Sequence, residues 1–180
     1  GTDVTAAATL NMVMQGRPEF GELSFDMVFA LAGADAELLG RVPRARESTG
    51  TSQDPMAAYA AAEGDLLELF ASGFEMNFEQ FNMTVPQGTI TSKMLFSFKE
   101  KDPAGFAWTS LLMTTEATID LSIPEPLVEM LLQLQPAAAM AIGGGYLVKS
   151  GDAYVLAAEM KKGLLTVNGA PIPIPFGAMR

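Results

Sequence analysis

The stretch Gly145 to Phe176 reads GYLVKSGDAYVLAAEMKKGLLTVNGAPIPIPF. It is a series of short strands with a turn signal at each joint. Tyr154, Leu156, Ala158 and Met160 recur at every second position, which places them on one face of a half-buried strand. Ser150-Gly151-Asp152 before it is turn chemistry, and Lys162-Gly163 after it supplies a residue that tolerates positive φ. Leu164 to Val167 reads as the next strand. Asn168-Gly169 then fits a two-residue type I′ hairpin turn, which requires positive φ at both positions. Pro171, Pro173 and Pro175 alternate with Ile172, Ile174 and Phe176. Successive N–H groups of a strand point to opposite edges, so these prolines delete donors along one edge alone. Ala170 to Pro175 is therefore expected to be an edge strand, paired on one side with Leu164 to Val167.

The same residues carry a family resemblance. The Gly-Tyr-Leu strand, the Gly-Asp-x-Tyr hairpin and the Gly-x-Leu-Thr-Val-Asn-Gly hairpin with proline after it resemble the C-terminal signature of the YdgA-like bacterial family of unknown function. The preceding IDLSIPEPLVEMLLQL is similar to that family's strand-then-helix segment. The resemblance is strong from about Asp65 onward and weak before Arg41. It implies a longer protein with an N-terminal membrane anchor and a large domain on the periplasmic side of the bacterial inner membrane. No such anchor is visible here, so residues 1–180 are expected to be a single domain from the C-terminal part of that pattern. The family supplies no catalytic residues.

Upstream, the chain repeats the strand-and-turn habit. Leu10, Met12 and Met14 alternate within Val4 to Met14, and Gly16 to Gly21 reads as a loop. Leu23, Phe25, Met27, Phe29 and Leu31 share one strand face, and a short helix is expected over Ala34 to Leu39. In Phe74 to Val85 the apolar parity slips: Met76 and Phe78 keep one count, Phe81, Met83 and Val85 the other. An extra residue near Glu79-Gln80 restores a single apolar face, which predicts a β-bulge. Pro86-Gln87-Gly88 makes a turn into the return strand Thr89 to Lys99, with Ile90, Met94, Phe96 and Phe98 inward. Ser110 to Leu121 is read as a further strand, with Leu111, Met113, Ala117, Ile119 and Leu121 in phase.

Two helices interrupt the strands. Asp54-Pro55 is a good helix start, and Met56, Tyr59, Ala60, Leu67 and Phe70 approximate an apolar stripe running to Gly73. Gly64 weakens that helix and marks a point where it could break. Pro124 to Ile142 is the second, with Leu127, Met130, Leu131 and Leu134 as its buried stripe. Pro136 ends or kinks it, and Gly143-Gly144-Gly145 stops it. Arg41 to Gln53, with its three arginines and SerThrGlyThrSer, has the composition of a mobile surface loop. The fold class expected is α+β: a long antiparallel twisted sheet with helices Asp54–Ser72 and Pro124–Ile142 packed on one face.

Composition narrows the chemistry. The 180 residues hold no histidine and no cysteine. That removes Ser-His-Asp and Cys-His nucleophilic systems, histidine or thiolate zinc sites, and disulfides. Ser92-Lys93 cannot act as a serine–lysine pair on one strand, because adjacent side chains point to opposite faces. Glu63, Asp65 and Glu68 cluster on a helix, where acids ordinarily serve solvation. The triple glycine lacks the Lys-Ser/Thr of a phosphate loop and follows a helix instead of preceding one. Asn82-Met83-Thr84 matches a glycosylation acceptor but lies within a strand.

A net charge of −10 disfavours nucleic acid as a partner. Twelve methionines and eleven phenylalanines, placed mostly at alternate strand positions, point to core packing or to an apolar binding surface. The expected function is a non-enzymatic interaction or assembly domain in the cell envelope, with another envelope protein or a second copy as partner. An apolar groove for a lipid or acyl chain is the alternative. No catalytic residue, cofactor or metal ligand is expected.

Overall fold

The computed structural model describes residues 3–15, 21–41, 55–102, 104 and 106–173, with the side chains of Gln15 and of residues 55–62 set aside. The chain is built around one sheet of nine strands among these residues: β1 (Asp3–Gln15), β2 (Glu22–Asp35), β3 (Phe74–Val85), β4 (Gly88–Phe98), β5 (Thr115–Pro124), β6 (Val148–Ser150), β7 (Ala153–Lys161), β8 (Leu164–Val167) and β9 (Ala170–Ile172). Every pairing is antiparallel. The strands follow the order β1-β2-β3-β4-β5-β7-β8-β9, and β6 lies beside β7 as well. Among the described residues five α-helices accompany them, α1 (36–41), α2 (Pro55–Ser72), α3 (Trp108–Thr114), α4 (Glu125–Leu134) and α5 (Ala139–Gly143), with a 3-10 turn at Pro136–Ala138. The architecture is α+β.

The registers show why the sheet has two faces. One row across neighbouring strands runs Ala8, Phe29, Phe78, Met94, Ile119, Ala158; the next runs Ala6, Leu31, Met76, Phe96, Ala117, Met160. These rows form the apolar face. The opposite face carries Asn11, Asp26, Asn82, Thr91 and Ser122 in one row. Continuity of the apolar rows depends on the bulge expected at Glu79-Gln80. The register between β3 and β4 shifts between Phe78 and Phe81, so Glu79 and Gln80 together oppose Lys93. The extra residue keeps Phe78 and Phe81 on the same face.

Helices α1, α2 and α3 cover one end of the apolar face. Ala34, Leu38, Leu69, Phe74 and Phe98 form the buried cluster, with Phe70, Phe96 and Leu111 packed against it. Phe98 lies with its ring centroid 4.6 Å from Phe74 and 4.8 Å from Phe70. The Trp108 indole N–H donates to Glu63 at 2.8 Å, joining α3 to α2. Arg41 pairs with Glu37 and Glu68, joining α1 to α2. Its guanidinium is held further above its ordinary pKa, chiefly by the Glu37 hydrogen bond. Helix α4 packs beside β5 and β7, burying Leu127 and Val128. Its first backbone N–H donates to the Asp152 carbonyl in the β6–β7 turn, and Lys149 pairs with Glu125 alongside. That hydrogen bond raises the pKa of Lys149.

The C-terminal meander follows the turn chemistry. Lys162 and Asn168 both have positive φ, as do Gly163 and Gly169, so each pair supplies the two central residues of a primed hairpin turn. β9 pairs with β8 and ends the strand order there. The strand ends at Ile172, short of the expected Pro175; Pro173 lies past its end, and residues 174–175 lie outside the described residues.

Several expectations are corrected. Ser110 to Thr114 does not extend the β5 strand; it belongs to helix α3, and β5 begins at Thr115. Trp108, Leu111 and Leu112 fit helical spacing as well as Leu111 and Met113 fit alternation, and a short apolar run cannot decide between the two periods. Packing of Leu111 on the core and the Phe70–Trp108 ring contact favour the helix. α2 runs unbroken through Gly64, since the contacts on both sides of that residue outweigh its roughly 1 kcal/mol cost. Leu69 and Ala71 are its most buried described side chains; of the expected Leu67 and Phe70, both part-buried, Phe70 packs against the core. The break expected at Pro136 is present: the helix that begins at Glu125 ends at Leu134, and a 3-10 turn over Pro136–Ala138 leads into α5. The buried face of α4 is turned toward Val128, leaving Leu134 half exposed. The short helix expected at 34–39 occupies 36–41, because β2 continues through Asp35. The loops at 16–20 and 42–53, the Asp54 cap, and the Met56, Tyr59 and Ala60 side chains lie outside what is described.

Candidate functional site

β1 is a strand that the other described residues leave uncovered. Every residue from Thr5 to Met14 is exposed. On the apolar face these include Leu10, Met12 and Met14, 42–48% exposed, beside the smaller Ala6 and Ala8. The cause lies in the layout. The helices α1, α2 and α3 gather over the core at Ala34, Phe74 and Phe98, and no described helix packs extensively on β1. Its outer edge pairs with no described strand. Edge strands are ordinarily protected by lysine, proline or a bulge that twists the edge away; the β1–β2 pairing has one register shift, between Val4 and Ala6 at its start, and is regular from Ala6 to Gln15. Between Asp3 and Gln15 there is no charged residue and no proline. The opposite edge is different, since β9 carries Pro171.

The polar face offers a second feature. An open cleft of about 660 Å³ lies over the bulge, lined by Glu79, Asn82, Thr91, Lys93, Asp120 and Ser122 among others. Lys93 faces Asp120 across β4 and β5. The bulge at Glu79-Gln80 brings a further carboxylate to the same depression. It is shallow and open, with charges of both signs.

A third feature is a patch of lysines in an otherwise acidic chain. Lys99 and Lys161 both approach Glu116, at 3.6 and 3.9 Å. Lys99, Lys101 and Lys162 line an open cleft of about 810 Å³ together with Phe106 and Met113. The Met113 side chain is 56% exposed. Cations therefore stand next to apolar surface.

The residues weighed from the sequence are placed as follows. Ser92 pairs with Leu121 in an apolar row and Lys93 with Asp120 in a polar one, so the two side chains point apart. Glu63 accepts the Trp108 N–H and Glu68 accepts from Arg41; both serve packing. Gly143 to Gly145 end α5. Among the described residues no group of three or more acids could hold a metal ion, and no helix is long and apolar enough to cross a membrane. Sequence reasoning passed over the bareness of β1 and the lysine patch. The first had a readable signal, an uncharged edge strand. The second did not, because its lysines meet only through the β4–β5–β7 pairing.

No curated protein and no solved structure is significantly similar to the chain. A family model described as "Bacterial protein of unknown function (DUF945)" matches residues 2–175, so the chain belongs to this bacterial family, in keeping with the YdgA-like resemblance of its C-terminal strands.

Proposed function

We propose that this is a non-enzymatic interaction or assembly domain, located in the cell envelope, that docks through the uncovered strand β1 and the apolar rows beside it. The observation that carries the proposal is the exposure of every residue from Thr5 to Met14, a run without charge or proline. Isolated apolar residues on a surface are ordinary; a contiguous strip with an open hydrogen-bonding edge marks an interaction site. The envelope location rests on the family resemblance and is tested by fusing the native protein to a reporter active only outside the cytoplasm.

The test of the surface is site-specific photocrosslinking in the native protein. A photoreactive residue at Met12 should give a discrete protein adduct, and one at Asp120 on the polar face should not. Equal labelling at both positions, or none at Met12, contradicts the reading.

A second reading, binding of an anionic acyl ligand, is favoured by the cleft in which Lys99, Lys101 and Lys162 stand beside Phe106 and Met113. Fatty-acid binding to the purified domain, lost in Lys101→Glu and unchanged in Met12→Glu, would establish this reading.

A further inference from the structure

From the bare strand we infer that the partner of β1 is β1 of a second copy of this chain, paired antiparallel about a two-fold axis at Thr9. The inference rests on the docking role proposed for that strand and names its occupant. β1 has 13 residues, and Thr9 is its midpoint. A two-fold axis perpendicular to the sheet at that residue sets Ala8 opposite Leu10, Ala6 opposite Met12 and Val4 opposite Met14 on the apolar face. Each large side chain of one copy thus meets a smaller one of the other. This follows from the uneven distribution of size along the strand, with alanines in its first half and Leu10, Met12 and Met14 in its second. A parallel, in-register pairing would set large against large and small against small, and would lack this fit.

Charge agrees with size. Two chains of net charge −10 repel each other. An approach along β1 brings together the one long strand edge that carries almost none of that charge. Asp3, the single charged residue of β1, is set opposite Gln15 and not opposite its own copy. The pairing also satisfies the row of N–H and C=O groups along the outer edge of β1. Both apolar faces then lie on the same side of one continuous sheet. A closed two-fold contact of this kind uses up the edge in both copies, so the assembly stops at two.

The test uses the fact that Thr9 faces itself. Its side chain lies on the polar face and is exposed. Like charges directly opposite one another destabilise a strand pair, and opposite charges stabilise it. Sedimentation equilibrium of the chain should show a concentration-dependent two-chain species. Thr9→Lys and Thr9→Glu should each sediment as single chains with an unchanged circular dichroism spectrum. An equimolar mixture of the two should recover the two-chain mass, and Thr118→Lys, on the polar face away from the edge, should behave as the unmodified chain. A single-chain mass for the unmodified protein at all concentrations overturns the inference, as does a mixture that stays monomeric. If the chain is monomeric while the crosslinker at Met12 still captures a different protein, the docking strand stands and the second copy is excluded. If both measurements are negative, the docking reading falls as well.

Discussion

Asn168 and Ala157 exchange two hydrogen bonds. The Asn168 backbone N–H donates to the Ala157 carbonyl at 2.7 Å, and the Ala157 N–H donates to Asn168 Oδ1 at 2.9 Å. β6 and β8 lie end to end along the same edge of β7, and Asn168 fills the interval between them. Its side-chain nitrogen also donates to the carbonyls of Gly145 and Tyr146, at 2.8 and 3.1 Å. One residue therefore serves as a turn position, with φ of 50°, and as the stitch that holds the start of the meander to its end.

Replacing Asn168 separates these roles. Asn168→Gly keeps the turn and loses the side-chain bonds; Asn168→Asp keeps the bond from Ala157 and loses the donor to Gly145 and Tyr146. Net hydrogen bonds contribute roughly 0.5–1.5 kcal/mol each. Each variant is expected to lose stability in about that range, with the Ala157 amide deprotected against hydrogen exchange only in Asn168→Gly. Equal protection of Ala157 in both variants would contradict the double role.

Leu127 is the anchor of α4, 2% exposed. Leu127→Ala should destabilise the domain by about 2–5 kcal/mol, the usual cost of emptying a core leucine site. Leu134→Ala, on the half-exposed end of the same helix, should cost less than about 1 kcal/mol. Chemical denaturation of the two variants side by side checks the orientation of the helix. The reverse order would contradict the orientation described.

Gly73 ends α2 with φ of 78°, and a Cβ there would come within 2.7 Å of the Glu100 backbone nitrogen. Gly73→Ala combines a left-handed backbone with a clash against main chain that cannot swing away. A loss of more than about 1 kcal/mol is expected in denaturant unfolding. A neutral result would mean that the α2–β3 corner is not held as described.

Asp35 caps α1. Its carboxylate accepts from the Leu38 and Glu37 amides, at 3.1 and 2.8 Å. The Leu38 bond first, and then the Glu37 bond, hold its pKa below the ordinary 3.8. A depressed carboxylate stabilises the fold fully above its unfolded pKa. That contribution is lost as pH falls through the folded value. The Glu37 and Leu38 amide resonances should therefore titrate together with a midpoint below 3.8, and an apparent midpoint above it would exclude the cap.

Much of this fold was legible in the chain because its signals are local. Asn168-Gly169 and Pro171 mark the C-terminal edge, and the parity slip at Phe78 to Phe81 marks the bulge; each depends on residues within a few positions. What was illegible depends on tertiary contact. Trp108 to Thr114 carries both periods, and the helix is selected by Phe70 and by the core around Phe98. The face of α4 could not be chosen from an apolar run that surrounds much of its circumference. The candidate site was half legible. The lack of charge in β1 after Asp3 stands in the sequence, but its bareness follows from where the helices α1, α2 and α3 settle.

The central claim is that β1 is a docking edge occupied by a second copy. Hydrogen–deuterium exchange of the chain, compared at dilute and concentrated conditions, tests it most directly. The account predicts that peptides spanning Val4 to Met14 gain protection with concentration, while those spanning Leu164 to Ile172 at the opposite edge stay unchanged. Exchange in β1 that is independent of concentration, or protection that appears at β9 instead, would contradict it.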